Sequence, residues 1–484
     1  MTPPTVPAGR GRRMRAASVP PLLALLAVLA GCGVLPTVGP DYAGPPAASS
    51  TAGPAEDRWQ ARLPHGGAEL DLARWWSQFE DPALDDFLAA AQRESGSVAQ
   101  AAARIEQARA GAIAAQAAGL PTLAATASAT RGTISTGTTV LLASQSRASL
   151  EAGWEIDLFG RVRREREAAV ARLDARTADW HEARVSLAAE VAAQYLQYRY
   201  CEAQVSIAQA DATSRAETAT ISGRAAAAGF TAPAAAALAR ASAAEAASRL
   251  AGQRAECELA VKALVELTGL DEPGVRARLG KTAGRLPVPR AFEVRAVPAD
   301  LLSQRPDLAA LERELAAASA DIGVAEGDRY PRLSLLGAVG PLRLDAGALS
   351  ATLSTWSIGP SLALPLFDAG RRAANVESAR AAYLAAEATY RSRVRQAVRE
   401  VEDALVRLQS AGERATDART AAEGYREALE AAQLRWRTGL GSLLELEESR
   451  RLALSADSML AAVQRDRVAA WVSLYRALGG GWTI

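Results

Sequence analysis

Histidine and cysteine are nearly missing from this chain of 484 residues, which carries two of the first, His65 and His181, and three of the second. Two histidines leave no cluster suited to a metal ion or a catalytic triad, so neither enzyme activity nor a cofactor is expected. The 55 basic side chains, almost all arginine, are matched by 54 acidic ones for a net charge of +1. That balance offers no polyanion-binding surface and argues against nucleic acid as a partner. Gly280-Lys281-Thr282 ends like a phosphate loop, but Gly274 lies one residue too far upstream and no apolar strand leads in, so a linker is the expected role. Past the N-terminus no run of about 20 apolar residues occurs, so any further membrane crossing has to be made of strands.

What the N-terminus does hold is a basic stretch, Arg10, Arg12, Arg13 and Arg15, then a short apolar run from Leu22 to Leu29, then Leu29-Ala-Gly-Cys32. This resembles a bacterial lipobox, in which cleavage before Cys32 would remove residues 1–31 as a signal and leave Cys32 as an acylated N-terminus. An ordinary secretory signal or an uncleaved anchor is the alternative. Met14 is a candidate start, because the chain from there is already a complete signal. Position 33 is glycine rather than the aspartate that holds many lipoproteins in the inner membrane, which allows sorting to the outer one. Residues 32–58, with many Pro, Gly, Ala and Ser, read as a surface tether.

The remaining chain is written twice. Gly160 recurs as Gly370, Pro121 as Pro331, Gly229 as Gly439 and Gly269 as Gly479, always at an offset of 210 residues. Each copy reads strand, loop, strand, long helix, tight turn, second helix, the first over 59–270 and the second over 300–484, with 271–299 as linker. Trp59, Trp75, Trp76 and Phe79 form an aromatic cluster expected to pack on helices, and Asp81-Pro82 starts a helical pattern running to about Gly119. Strands are expected near 121–131 and 148–158, separated by a polar loop over 132–146, and again near 331–340 and 356–366. Ala148, Leu150, Ala152, Trp154, Ile156 and Leu158 alternate with Ser149, Glu151, Gly153, Glu155 and Asp157, a period of two over a length that crosses a bilayer when tilted. Pro360 and Pro365 count against a regular central strand in the last segment. Long helices are expected over 161–228 and 371–438, each turning at a glycine into a partner helix over 233–268 or 442–478. Leu173, Trp180 and Leu187 recur every seven residues, as do Val191, Tyr198 and Val205, the spacing of a coiled-coil seam.

Four amphipathic strands do not close a barrel, since the smallest membrane barrels use about eight, and open edges are forbidden in lipid. Copies of the chain have to pool their strands; three copies would supply about twelve, and the same symmetry would close the long helices into a tube. Leu29-Ala-Gly-Cys32, Val38-Gly-Pro-Asp-Tyr42, Trp75-Trp-Ser-Gln-Phe79 with Asp81-Pro82, and Trp154-Glu-Ile-Asp-Leu-Phe-Gly-Arg161 carry a resemblance that continues through Leu301-Leu-Ser-Gln-Arg-Pro-Asp307, Tyr330-Pro-Arg-Leu-Ser334, Val401-Glu-Asp-Ala-Leu405 and Ala477-Leu-Gly-Gly-Gly-Trp482. In this order they resemble the outer-membrane efflux proteins of the TolC family, in their lipoprotein, OprM-like (NodT-type) branch.

The resemblance implies a mainly α fold with a membrane β-barrel: a homotrimer whose twelve-stranded barrel in outer-membrane lipid continues as a long α-helical barrel through the periplasm. Lipid-anchored, with most of its chain in the periplasm, such a protein would join a periplasmic membrane-fusion adaptor and an inner-membrane pump of the RND type. It would pass drugs or other small toxic compounds outward without chemistry. Two other readings stay open, the channel of a type I protein secretion system and a structural periplasmic coiled-coil lipoprotein without a pore. The lipobox and the motif ending in Tyr42 favour drug efflux over the first, and the alternating strands oppose the second.

Site roles follow from the same resemblance. The hairpin tips, Gly229 with Phe230 and Gly439 with Gly441 and Ser442, are the parts that would meet the adaptor. Acidic residues just past the second tip form the family's periplasmic gate, and Glu445 and Glu448 stand at matching positions. Three residues apart, they share a helix face, and threefold symmetry would make them a ring of carboxylates. A solvated acidic face, with Glu447 alongside, is the alternative. Trp436 would replace a gate tyrosine by packing, whereas Gly441 stands where some relatives have a gate arginine. Cys201 and Cys257 lie 28 residues to either side of Gly229, so antiparallel helices folded there bring them level. In an oxidising periplasm a disulfide follows, with two buried thiols as the alternative.

Overall fold

Prolines open three of the helices of this chain, and glycines close four. In the computed structural model, which describes residues 37–44, 72–135, 140–289, 304–346 and 349–480, Pro82, Pro233 and Pro306 begin helices. Gly229, Gly269, Gly439 and Gly479 follow helix ends at positive φ, where a residue without Cβ ends the turn at no steric cost. A 3-10 helix, Leu72–Phe79, precedes α1 (Pro82–Glu94), α2 (Gly96–Ala117), β1 (Thr122–Ser135), β2 (Val140–Ile156), α3 (Arg161–Ala227), α4 (Pro233–Thr268) and α5 (Glu272–Gly280). Then come α6 (Pro306–Gly327), β3 (Arg332–Ala346), β4 (Leu349–Ala363), α7 (Arg371–Arg437) and α8 (Leu443–Ala477). The signal, Cys32 and Trp59 lie outside the described residues. Among those described, no helix is long and apolar enough to cross a membrane. The chain divides into a strand unit, built on 115–166 and 320–378 with 37–40, and a helical unit built on the rest.

In the strand unit the four strands form one antiparallel sheet in the order β1-β2-β3-β4. Leu123 stands opposite Ala152, Leu150 opposite Val339 and Leu333 opposite Leu362. Side chains alternate across such a ladder, so Leu123, Leu150, Val339, Trp356, Ile358 and Leu362 share one face. All six are exposed, Trp356 at 77 %. The polar loop expected over 132–146 is mostly strand, for the ladder continues until Ser135 meets Val140. Backbone pairing does not require apolar side chains, and the threonines and valine here are good strand formers, so polarity concealed the extension. In the second repeat β3 likewise reaches Ala346 and β4 begins at Leu349, well before the expected Trp356, and ends at Ala363. Pro365 therefore falls beyond the strand, and Pro360 occupies the edge of the sheet, where proline is tolerated.

Where β2 passes into α3, Arg161 gathers Glu155 at 3.1 Å, Glu165 at 3.1 Å and Asp328 at 4.0 Å. Phe159 stacks on Tyr330 with ring centroids 4.7 Å apart. The Val38 amide donates to the Phe159 carbonyl at 3.0 Å, and Arg164 donates to the carbonyls of Val38 and Gly39. Gly160, at φ +82°, permits this strap: a Cβ there would collide with Thr37.

The helical unit has its core at Trp75, which stacks on Trp471 at 4.6 Å among Phe79, Phe87, Tyr195 and Leu405. Asp81 caps α1 by accepting from the amides of Ala83 and Leu84 and also accepts from the Tyr195 hydroxyl at 2.6 Å. The single helix expected from Pro82 to Gly119 is two helices. Ser95 takes extended backbone angles between α1 and α2, and its hydroxyl accepts from the Val98 amide at 3.5 Å, a serine supplying the cap that lets a new helix begin. Buried Arg305 donates to the Ala477 carbonyl at the end of α8 (2.7 Å) and pairs with Asp307 (2.9 Å) and Glu400 (2.7 Å), while Arg393 reaches Asp307 at 2.5 Å. Burial pushes the Asp307 carboxyl up, but hydrogen bonds and charge from the two arginines hold it below the usual carboxylate range.

Candidate gate and docking tips

Both long helices contain 67 residues, about 100 Å of helix at the usual rise, and each ends in the same turn. At the first tip the Phe230 amide donates to the Ala225 carbonyl (2.8 Å) and the Gly229 amide to Ala226 (3.1 Å). At the second, Leu440 donates to Arg435 (2.8 Å) and Gly439 to Trp436 (3.1 Å). This Schellman pattern satisfies the last carbonyls, and the residue after each glycine is exposed instead of packing back on its helix: Phe230 is 84 % exposed and Leu440 81 %. Pro233 begins α4, and Ser442 caps α8 by accepting from the Glu445 amide at 3.1 Å. The tips thus present an apolar side chain on a fixed backbone.

Past the second tip the two expected gate carboxylates are exposed, as a ring lining an aqueous opening requires, but neither stands alone. Glu445 pairs with Arg435 across the turn, and Glu448 accepts from the Arg451 Nε at 3.0 Å. The Arg451 hydrogen bond holds the Glu448 carboxyl below its ordinary range. Trp436 is half-buried. Neither arginine stands out in the sequence, although Glu448 and Arg451 are at helical i,i+3 spacing.

Glu447, a member of the same acidic run, faces the other way from its neighbours and is not part of a solvated face. One carboxylate oxygen accepts from Arg215 of α3 at 2.6 Å and from Ser242 of α4 at 2.7 Å; the other accepts from Arg450 at 2.8 Å. Arg450 goes on to the Thr218 hydroxyl (2.7 Å) and the Ser214 hydroxyl (2.9 Å), and Arg215 to Asp211 (2.8 Å). Burial pulls the Arg450 guanidinium below its ordinary pKa, an effect that Glu447 opposes. This buried ion network fastens α8 to both helices of the first hairpin. Cys201 and Cys257 are joined as a disulfide with Cα atoms 5.5 Å apart, tying α3 to α4.

The remaining sequence candidates are occupied structurally. Lys281 pairs with Asp86 at 2.8 Å, and Thr282 accepts from Arg199 at 2.6 Å, so neither side chain of the apparent phosphate loop is free. His181 lies against Trp180. Among the described residues no group of His, Cys, Asp and Glu suits a metal ion.

Comparison with known proteins agrees with this geometry. A family model described as "Outer membrane efflux protein" matches residues 88–270 and 297–480, one stretch in each repeat. Nodulation protein T of Rhizobium leguminosarum bv. viciae is 33% identical over 468 residues, 96% of this chain and 93% of that protein. The solvent efflux pump outer membrane protein SrpC of Pseudomonas putida is 29% identical, over 96% of this chain and 98% of its own length. The solved outer-membrane channel OprN superposes with a TM-score of 0.81 at 30% identity, covering 92% of this chain and 99% of the channel.

Proposed function

The chain belongs to the family of outer membrane efflux proteins, and on that premise we propose a homotrimer that carries small toxic compounds out of the cell. The protein is an exit duct of an efflux system in the outer membrane. The observation that carries the trimer is the sheet: four strands with an exposed apolar face and an unpaired edge on each side, an arrangement that lipid does not tolerate until the edges are closed. Three sheets would close one barrel of about twelve strands, with acylated Cys32 as an additional anchor. The exposed Phe230 and Leu440, with Gly229, Gly439, Gly441 and Ser442 setting the turns, form the surface offered to a periplasmic adaptor, and an RND-type pump would supply the cargo. Similarity to a solvent efflux protein supports small apolar compounds as that cargo.

In the proposed gate, Glu445 and Glu448 form a ring whose charge is compensated within each subunit by Arg435 and Arg451, with Trp436 packed behind. Exchange of Glu448 for glutamine, measured in planar bilayers, should reduce the preference for cations and leave the melting curve unchanged; unaltered selectivity would remove Glu448 from the gate. Native mass of the detergent-extracted protein, beside intact mass of the denatured chain, tests the assembly. A trimer of chains beginning at Cys32 with added acyl mass is expected, and a stable monomer would sink the shared barrel. Deletion should sensitise the cell to small toxic compounds; unchanged sensitivity with a block in protein export would transfer the cargo to the secretion class.

A further inference from the structure

The apolar face of the sheet ends at a border of a different chemistry. It starts beside the helices, at Leu123, Ile156, Leu333 and Leu362, and continues up the four strands. Toward the strand turns, Ala129 gives way to Arg131 on β1, Ala148 to Ser146 and Ser144 on β2, Pro341 to Arg343 and Asp345 on β3, and Trp356 to Ser354, Thr352 and Ser350 on β4. Among the described residues only β2 turns apolar again on this face, at Leu142 and Val140. Leu333 and Arg343 are ten residues apart, about 33 Å of strand. A tilt of about 40° turns that into about 25 Å of depth, the height of the apolar band of a membrane barrel. With the helices on the periplasmic side, Arg343 stands at headgroup level in the outer leaflet.

Resting on the membrane-spanning sheet proposed above, we infer that Arg131 and Arg343, with Ser144 and Ser146 between them, bind the phosphate of a phosphorylated lipid in the outer leaflet. Arg131 stands opposite Ser144, and Ser146 stands opposite Arg343. The four residues therefore occupy one face of three neighbouring strands, and about 10 Å separates β1 from β3. Two long guanidinium side chains span that gap over the hydroxyls, and both groups are donors that phosphate oxygens accept. The site lies within one copy of the chain, so it does not depend on how copies meet.

Charge and shape agree with such a ligand. Arg131 is exposed and pairs with no carboxylate among the described residues. The side chain of Arg343 is 61 % exposed and donates to Asp345 through Nε at 2.9 Å and Nη2 at 3.4 Å, which leaves Nη1 for a second acceptor. Two cations against one carboxylate give this border an excess of positive charge, the sign that draws anionic headgroups. Below the serines lies a shallow groove of about 480 Å³, lined by Ala127, Ala129, Ala148 and Pro341 and reaching Ser146 and Arg343. Its small side chains leave room for the start of an acyl chain against the sheet, directly beneath the phosphate.

The test is native mass spectrometry of the full-length protein, extracted from the outer membrane in detergent and titrated with diphosphorylated lipid A. Binding should weaken roughly fivefold in Arg131→Gln and in Arg343→Gln, and about 25-fold in the double variant. Dephosphorylated lipid A should bind the parent no better than the double variant binds the phosphorylated form. Arg147→Gln, on the opposite face of β2, should leave binding unchanged. All variants should melt with the parent, because each of these side chains is exposed. Parent-like binding by the double variant, or equal binding of the dephosphorylated lipid, overturns the site. So does a loss in Arg147→Gln as large as in the double variant. Protein absent from the outer-membrane fraction overturns instead the membrane-spanning sheet on which the site rests.

Discussion

The two repeats meet the same mechanical demands with different ties. In the first, a disulfide joins α3 to α4; in the second, the equivalent positions are Ala411 and Arg467, and α7 meets α8 through the ion pairs Arg426–Asp457 at 2.7 Å and Arg414–Asp466 at 3.8 Å. Between Arg224 and Arg240 the first tip has no charged side chain, whereas the second carries Arg435, Glu445, Glu448 and Arg451. The junction of β2 with α3 is clamped by the Arg161 cluster, and that of β4 with α7 has lost every acid of it. Duplication therefore preserved the backbone punctuation while the side-chain ties diverged. The first hairpin is covalently closed; among the described residues the second is held by ion pairs that can break and re-form, and the Glu447 network ties its α8 to the first hairpin.

That contrast can be broken at several levels. Replacing Cys201 and Cys257 with serine opens a closure of 56 residues and should cost about 4 kcal/mol, read as a fall in the melting temperature of the purified protein. An unchanged melt would mean that the staple carries no load. Conversely, Ala411→Cys with Arg467→Cys should form a second staple, which titration of free thiols would detect.

Glu447→Ala leaves Arg450 buried without its counter-charge and Arg215 with Asp211 alone, and should cost about 3 kcal/mol. Limited proteolysis near the second tip should accelerate with it; protection equal to the parent would show that α8 is held otherwise. Arg161→Ala, which removes a partly buried cation from three carboxylates, should cost about 1–2 kcal/mol, while Arg371→Ala should be nearly silent because its acidic partners are absent. Equal losses in the two would erase the distinction between the junctions.

The smallest effect concerns pH. Asp307 has a depressed pKa in the folded protein, so its stabilising contribution is present above the ordinary carboxylate range and is lost as pH falls through the folded value. Melting curves from neutral to acid should therefore fall less steeply below about pH 4 in Asp307→Asn than in the parent. Parallel curves would remove Asp307 from the acid response.

Much of the architecture was legible because it depends on backbone constraints. Pro233 and Gly269 bracket α4 in the sequence and in the structure alike, and the repeat offset alone marks two hairpins. The extent of the strands was not legible, since backbone pairing carried β1 and β2 through threonine, serine and glycine where polarity suggested a loop. Nor was the inward turn of Glu447. Three glutamates at 445, 447 and 448 look alike in sequence, and which of them is buried depends on the rotation of α8 against α3 and α4.

The sequence by itself determined the duplicated unit, the helix ends, the alternation that makes a lipid-compatible sheet and the level pair of cysteines, because φ restrictions and short hydrophobic periods are local properties. Only the tertiary structure decided that Arg215, Ser242 and Arg450 converge on Glu447, that Arg305 locks the end of α8, and that β1 and β4 are left as edges. The contacts of Arg215 and Ser242 with Glu447 span more than 200 residues of intervening chain and that of Arg305 with Ala477 spans 172, so they depend on helix rotation and strand order that no local pattern encodes.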